Sequence, residues 1–243
     1  YLEYTGSTSA LESVDLRARV KGFLESVNFV PSSRVTKGEV LFVIDPKPYK
    51  AREEEAQASL DARKAALDLA QVEQEKAKQL ESKEAISQIK YLEATAKRDV
   101  AKADVAKAQA DLDAAKLNLE YTQVKTPIDG RVGRNLVDVG NLVGAGENTL
   151  LTTVVNDSSV YVYFNVSELD LLPLVRKYRV DVESPSERGD TVPVYVGLAD
   201  EKGYPHEGTL DFTDTKVDSS TGTMRVRAIV KNHSGVLLPG LFV

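Results

Sequence analysis

The sequence predicts an elongated, multidomain α+β protein in which an antiparallel α-helical coiled-coil hairpin is inserted between two halves of a β-sandwich, followed by a small β-barrel with one short helix. Three observations predict this architecture. Residues 49–121 contain neither glycine nor proline and are dominated by Ala, Glu, Lys, Gln and Leu, the composition of long helices. Stretches rich in β-branched residues and turn signals lie on both sides of this block. These flanking stretches also share an internal repeat, which predicts that they form one domain.

Residues 11–45 are predicted to supply the first half of the sandwich. The segments RARV, FLESVNFV and EVLFVID have the β-branched and aromatic composition of short strands. Turn chemistry separates them at Gly22, at residues 31–33 and at residues 37–38.

Residues 46–123 are predicted to form the hairpin. In the second arm, large side chains fall seven or fourteen residues apart and alanines follow three residues later, at Tyr91, Val105, Leu112 and Leu119 and at Ala94, Ala101, Ala108 and Ala115. The first arm has apolar positions spaced mainly by three, four and seven, at Tyr49, Ala56, Leu60, Leu67, Ala70, Ala77 and Leu80. Arg98 occupies a large-residue position, so we expect its stem to lie along the seam with its charge outside.

Residues 82–87 interrupt the helical pattern, although they include no glycine or proline. A break of this length suits a reversal between two helices, with Ser87 as the N-cap of the second. Arms of about 35 residues are each about 50 Å long at about 1.5 Å per residue. One continuous helix is disfavoured because its apolar stripe would have no partner.

An internal repeat relates residues 11–45 to residues 124–155. With Gly22 and Gly130 as origins, matching residues fall at equal offsets in the two halves, namely Val20 and Ile128, Leu24 and Val132, Val35 and Val143, and Gly38 and Gly146. The two halves are therefore predicted to complete one sandwich. Such halves resemble the biotinyl/lipoyl carrier domain. In a carrier domain a lysine between the halves takes the prosthetic group, and here the hairpin occupies that place, so no cofactor is expected.

Residues 156–243 are predicted to form a small, mostly antiparallel β-barrel. Its strands are expected in VYVYFNV, TVPVYVGL, EGTLDFTDTKV and TMRVRAIV, which Gly, Asp and Ser turns connect. One short helix is predicted in SELDLLPLVRKY, with Ser167 as its N-cap and Pro173 either early in the helix or at its break.

Composition argues against several kinds of chemistry. With no cysteine and only two histidines, the chain is not expected to form disulfides, thiol nucleophiles or multi-histidine metal sites. The net charge of -6 argues against nucleic acid as a partner. His206 and His233 lie in turn-like sequence and are expected to be exposed, and the single methionine, Met224, is expected to pack in the barrel. We therefore predict that the protein is not an enzyme and holds no metal.

Four stretches carry a family resemblance: FVIDPKPYKA enters the hairpin, LNLEYTQVKTPIDGRVGRNLVDVGNLV leaves it, and EGTLDFTDTKVDSSTGTMRVRAIVKN and LLPGLFV lie in the predicted barrel. Together with the domain order, they resemble the periplasmic adaptors, or membrane fusion proteins, of RND-type multidrug efflux pumps of the AcrA/MexA type. The resemblance implies an adaptor in the periplasm of a Gram-negative bacterium, anchored to the inner membrane. It implies that the adaptor links an inner-membrane RND transporter to a TolC-like outer-membrane channel for drug export, and that six copies form a ring.

The resemblance also implies parts that this sequence does not include. Members of the family have an N-terminal lipid or helix anchor and a membrane-proximal β domain made from both chain ends. Residues 1–10 are expected to begin either the barrel or that membrane-proximal domain. No window of about 18 apolar residues is present. We therefore expect the chain to be a fragment from which the anchor and the natural ends have been removed.

The family carries an Arg, Leu and Ser motif at the hairpin tip, through which the tip docks on the outer-membrane channel. At the same spacing this sequence has Lys76, Leu80 and Ser87, so the resemblance implies docking through these residues, with lysine in place of arginine. Lysine keeps the charge but lacks the planar, bidentate fork. Two structural interpretations stay open: Leu80 as the last residue of the coiled-coil seam, and Ser87 as a helix N-cap only.

Two other classes of protein share part of this pattern. An adaptor of a type I (ABC) secretion system or of an ABC-type efflux system shares the sandwich and hairpin, but secretion adaptors usually have a hairpin much longer than arms of about 35 residues. A purely structural coiled-coil protein would leave the repeated β halves unexplained.

Overall fold

The computed structural model describes residues 2–83, 85, 87–146, 149–172 and 192–243. Four strands precede two long helices: β1 Gly6–Arg17, β2 Gly22–Val27, β3 Arg34–Val35 and β4 Val40–Ile44, then α1 Lys47–Glu81 and α2 Gln88–Glu120. Four more strands follow: β5 Gln123–Lys125, β6 Gly130–Val132, β7 Leu142–Val143 and β8 Leu150–Ser167. The last described strands are β9 Pro193–Val196, β10 His206–Thr213 and β11 Thr223–Lys231. The mixture of helix and sheet agrees with the predicted class.

The two sequence repeats pair with each other in the sandwich. Gly22 at the start of β2 pairs with Val143 on β7, and Gly130 at the start of β6 pairs with Val35 on β3. Each half thus supplies a strand partner for the other, as the repeat predicts. Side chains from both halves share one buried core that includes Leu24, Val35, Leu41, Phe42, Ile44, Val132, Val143 and Val154.

The helices are attached at neighbouring strands. One sheet of the sandwich has the strand order β5-β4-β2-β7, and Phe42 on β4 pairs with Val124 on β5. Strand β4 leads into α1, and α2 leads into β5, so the chain leaves the sandwich and returns to it side by side. Pro46 precedes α1 and Pro48 lies in its first turn, where no intrahelical donor is lost.

The two helices, called the helix pair here, run in opposite directions. Leu60 of α1 packs with Ala108 and Leu112 of α2 in a buried cluster. Farther from the sandwich, Gln74 Nε2 donates a hydrogen bond to Tyr91 Oη at 3.4 Å. The interruption between α1 and α2 is residues 82–87, as the sequence predicts.

Strand β8 joins the sandwich to the second β region. It pairs with β1 along most of its length, with β6 in its first part and with β11 in its second part. Strands β8, β11, β10 and β9 are neighbours in that order, and every described pairing is antiparallel. Buried side chains of these strands, Val160, Val162, Val196 and Val230, form a second core together with Leu237, which follows β11.

The predicted short helix begins where the sequence places it. Residues 168–172 are helical, and Ser167 Oγ accepts a hydrogen bond from the backbone N–H of Asp170 at 3.3 Å, as an N-cap does. The prediction for Pro173 lies outside the described residues. Among the described helices, none has the length and apolar character needed to cross a membrane.

Candidate functional site

The tip, the end of the helix pair where α1 meets α2, closes without a glycine. Helix α1 ends at Glu81, and the backbone N–H of Ser82 donates to the carbonyl of Lys78 at 3.1 Å. The N–H of Ala85 donates to the carbonyl of Leu80 at 2.8 Å, so this late carbonyl of α1 is satisfied by the turn itself. The backbone of Leu80 is therefore fixed while its side chain is left to point outward.

The structure places all three predicted docking residues at the tip, in exposed positions. Lys76 and Leu80 are four residues apart on α1 and therefore lie on one face of the helix. The Leu80 side chain is 45% exposed. Ser87 directly precedes α2 as its N-cap residue, but its hydroxyl makes no cap hydrogen bond. The Ser87 hydroxyl is therefore available to hydrogen-bond with another molecule.

The interpretation of Leu80 as the last residue of the seam is wrong. The half-buried positions at this level of α1 are Gln74, Ala77 and Glu81, and Leu80 lies outside that row. The irregular spacing of apolar residues in the first arm allowed Leu80 to be assigned to either face. In the second arm, by contrast, the predicted seam is correct, since Ala108 and Leu112 are buried.

Helix α2 carries a second apolar stripe on the side opposite α1. Residues on this stripe recur every three or four positions, which places them on one face. All of them are exposed: Ile89, Leu92, Ala96, Val100, Ala103, Ala106, Ala110, Ala114 and Leu117. The stripe faces away from α1, the described partner of α2, so its apolar side chains are accessible for contact with another surface.

Helix α1 has a similar stripe, which ends at the tip. Its exposed apolar members are Ala58, Ala62, Ala65, Leu69 and Val72, and Lys76 and Leu80 continue the same row. The stripes on α1 and α2, called the outer stripes, were missed by the sequence analysis because it sought one seam on each helix. The signal was present as a second set of apolar residues at spacings of three and four.

His206 is not the exposed loop residue that the sequence predicted. It is the first residue of β10, its side chain is half-buried, and Nε2 lies 3.0 Å from Glu201 Oε1. The other Glu201 oxygen accepts the backbone N–H of Leu198 at 2.9 Å. That backbone donor, and secondly His206, hold the pKa of the Glu201 carboxyl below its ordinary value. The pair closes the turn between β9 and β10.

The other residues considered for a catalytic or metal site, His233 and Met224, lie in separate places. His233 lies exposed in a turn, as predicted, and Met224 lies within β11. Over the part of the chain that the structure describes, no three His, Asp or Glu side chains are grouped so as to hold a metal ion.

Two family models match the chain, one for each β region. Residues 12–155 match the barrel-sandwich hybrid domain of RND membrane fusion proteins, and residues 159–243 match the β-barrel domain of RND membrane fusion proteins. The chain belongs to the family of RND-type membrane fusion proteins, as the sequence motifs indicated.

Individual relatives extend over nearly the whole chain. The efflux pump periplasmic linker BepD of Brucella suis biovar 1 (strain 1330) is 40% identical over 99% of this chain and 61% of its own length. The multidrug efflux pump subunit AcrA of Escherichia coli (strain K12) is 35% identical over 99% of this chain and 60% of its own. A crystal structure of a MacA–MexA chimeric protein, containing the Pseudomonas aeruginosa MexA α-hairpin domain, is 25% identical with a TM-score of 0.65, covering 98% of this chain and 75% of that one. The chain thus spans about three fifths of the length of the curated relatives it matches.

Proposed function

We propose that the protein is a non-catalytic periplasmic adaptor that links an inner-membrane RND transporter to a TolC-like outer-membrane channel for the export of drugs. Relatives of this chain are named as a periplasmic linker of an efflux pump and as a multidrug efflux pump subunit. One observation carries the docking part of the proposal: the apolar side chain of Leu80 is 45% exposed at the tip, on the same face as the Lys76 cation.

The proposal assigns a task to each domain. Residues 46–123 form an antiparallel coiled-coil hairpin that reaches toward the outer membrane, and residues 11–45 with 124–155 form the split lipoyl-like domain at its base. Residues 156–243 form the barrel domain, and residues 1–10 begin the barrel or a membrane-proximal domain. The adaptor works in the periplasm, anchored to the inner membrane.

The tip residues supply three complementary contacts. Leu80 enters an apolar depression on the channel, and burial of such a side chain contributes about 1 to 2 kcal/mol. Lys76 gives a point charge for a carboxylate or carbonyl, without the bidentate geometry of arginine. Ser87 offers a hydroxyl that the helix N-terminus does not use. Each contact is weak, but several copies acting together give a strong attachment.

The outer stripes account for self-association in this proposal. The stripe on α1 of one copy packs against the stripe on α2 of the next, so each helix pair has two different apolar flanks. Contacts between two different surfaces generate a ring when the rotation closes. The family resemblance implies a ring of six copies, with the tips gathered at one end.

The docking proposal is tested by cross-linking and drug susceptibility in the full-length protein. Residues 1–243 contain no cysteine, so a cysteine introduced near the tip is the single thiol of this part of the protein and reports contact with the periplasmic end of a co-expressed outer-membrane channel. We expect Leu80→Asp and Ser87→Arg to reduce both the cross-link and resistance. Val236→Asp is the matched control, because Val236 is 48% exposed but lies in the barrel region. Cross-linking and resistance that are unchanged in both tip variants would contradict docking through the tip.

A further inference from the structure

Strand β8 passes from the sandwich to the barrel region through a bulge. The pairing of β1 with β8 shifts register between Ala10 and Glu12, so that Leu11 stands opposite three residues of β8, 157–159. The two family matches adjoin here, since neither includes residues 156–158. A bulge removes hydrogen bonds of the strand ladder. Backbone pairing between β1 and β8 is therefore weakest at the place where the two domains meet.

A buried carboxylate in the bulge is bound from the sandwich side. Asp157 is only 7% exposed, and its Oδ2 accepts a hydrogen bond from Arg131 Nε on β6 at 3.2 Å. Arg34 Nη2 on β3 lies 3.7 Å from the other carboxylate oxygen. Arg131 Nη1 also donates to the carbonyl of Ser32 at 3.0 Å, which orients its guanidinium toward the bulge.

The same residue is bound from the barrel side through its backbone. The carbonyl of Asp157 accepts a hydrogen bond from Asn232 Nδ2 at 2.9 Å, and the carbonyl of Ser158 accepts the N–H of Asn232 at 3.0 Å. The Asn232 side chain is buried and exchanges two further bonds, each 3.0 Å long, with the backbone of Leu237. Leu237 belongs to the barrel core, so Asn232 connects the backbone of Asp157 to that core.

We propose that Asp157 is a positioning residue that clamps the sandwich to the barrel and sets the angle between them. A buried carboxylate without a cationic partner is strongly unfavourable. Rotation about the bulge would separate Arg131 from Asp157 while Asn232 holds the Asp157 backbone in place, and so it is opposed. The angle matters because the helix pair is a lever about 50 Å long, at the end of which a rotation of about 10° moves the tip by roughly 9 Å.

This inference concerns the shape of a single chain and does not depend on the proposed partners. It is tested by electron spin resonance distance measurements between two introduced, spin-labelled cysteines. Exposed Glu25 in the sandwich and exposed Lys202 in the barrel region form the interdomain pair, and Glu25 with exposed Lys37 forms the control pair within the sandwich. The experiment uses residues 1–243, which contain no cysteine that would be labelled in addition.

The variant Asp157→Asn keeps the size of the side chain and the backbone bond to Asn232 but removes the charge. We expect the interdomain distance distribution to become at least twice as wide, while the control distribution is unchanged. Arg131→Gln is expected to act similarly, and the double variant is expected to be no wider than either single one, because all three lose the same contact. Arg34→Gln should have a smaller effect, since the Arg34 side chain is 69% exposed and its Nη2 lies farther from Asp157, at 3.7 Å.

Two results would overturn the clamp. One is an interdomain distribution in Asp157→Asn that equals that of the natural chain. The other is equal broadening of the control pair, which would show that Asp157 supports the sandwich itself and not its orientation relative to the barrel.

Discussion

Gly22 and Gly130 occupy equivalent places in the two halves of the sandwich, and each lies against atoms of another strand. A Cβ atom on Gly22 would come within 2.6 Å of Ile44 Cγ2, and one on Gly130 would overlap the backbone carbonyl of Val155. Neither glycine has a positive φ angle, so the turn does not require them. They are needed because the strands approach closely at both places.

Gly130→Ala is expected to lower the free energy of unfolding by about 2 kcal/mol, because the new methyl group meets rigid backbone of β8. Equilibrium unfolding in urea measures the effect. Gly133→Ala is the matched control, since its Cβ would lie 3.2 Å from the carbonyl oxygen of Thr153 and requires only a small adjustment. A loss in Gly130→Ala no larger than that in Gly133→Ala would show that β8 moves away easily.

Single polar residues were the hardest to place from sequence. Asp157 looks like any other aspartate near a turn, and its burial depends on arginines that only the folded sheet brings to it. His206 was expected in an exposed loop, but pairing of β10 with β9 brings it to Glu201. Periodicity reports which face of an element is apolar, and it carries no information on such distant polar partners.

At the scale of elements, we expect the stability of the turn between β9 and β10 to depend on pH. The Glu201 carboxylate accepts bonds from the Leu198 N–H and from His206, and its pKa lies below the ordinary value of 4.5. The folded chain therefore favours the ionised form. This contribution is fully present above about pH 4.5 and is lost as the pH falls through the lower pKa of the folded state.

We therefore expect Glu201→Gln to be less stable than the natural chain at pH 6, with the difference shrinking as the pH approaches 3. Urea unfolding at a series of pH values measures the difference. Asp200→Asn is a neighbouring control, since Asp200 is exposed and makes no hydrogen bond with the turn among the described residues. A stability difference for Glu201→Gln that does not vary with pH would contradict a role for the ionised carboxylate.

The long elements were predictable because their signals are repeated many times. The interruption at residues 82–87 was located from the helical composition on both sides, and the paired halves of the sandwich were located from matching glycines and valines. The docking role of Lys76, Leu80 and Ser87 was inferred from the family resemblance. Three separate exposed residues carry no periodic pattern that would identify a docking motif. The outer stripes were overlooked because alanine suits a seam, a lattice of neighbouring helices and a solvated helix equally well.

At the scale of the whole molecule, the outer stripes give the helix pair two apolar flanks. Val100 on α2 is 63% exposed and stands near the middle of its stripe. We expect Val100→Asp to weaken self-association at least tenfold, because a carboxylate would have to be buried between copies. Sedimentation velocity over a range of protein concentrations measures this association.

Lys97→Gln is the matched control for that experiment. It alters the net charge by the same amount as Val100→Asp, on the same exposed helix, but it lies outside the stripe. If the natural chain and Val100→Asp associate equally strongly, the outer stripes do not form the contacts between copies in the proposed ring. The tip and its channel contact would not be affected by that result.

Because α1 and α2 are attached side by side, the length of the helix pair is independent of the fold of the sandwich. Strands β4 and β5 are hydrogen-bonded neighbours, about 4.8 Å apart, so the chain leaves and re-enters the sandwich at one place whatever the length of the two helices. Adding or deleting seven residues in both helices would change the length by roughly 10 Å and return side chains to nearly the same faces. Such edits leave every strand pairing of the sandwich intact. The distance from the sandwich to the tip can therefore be altered in steps of seven residues per helix without any change in the sandwich.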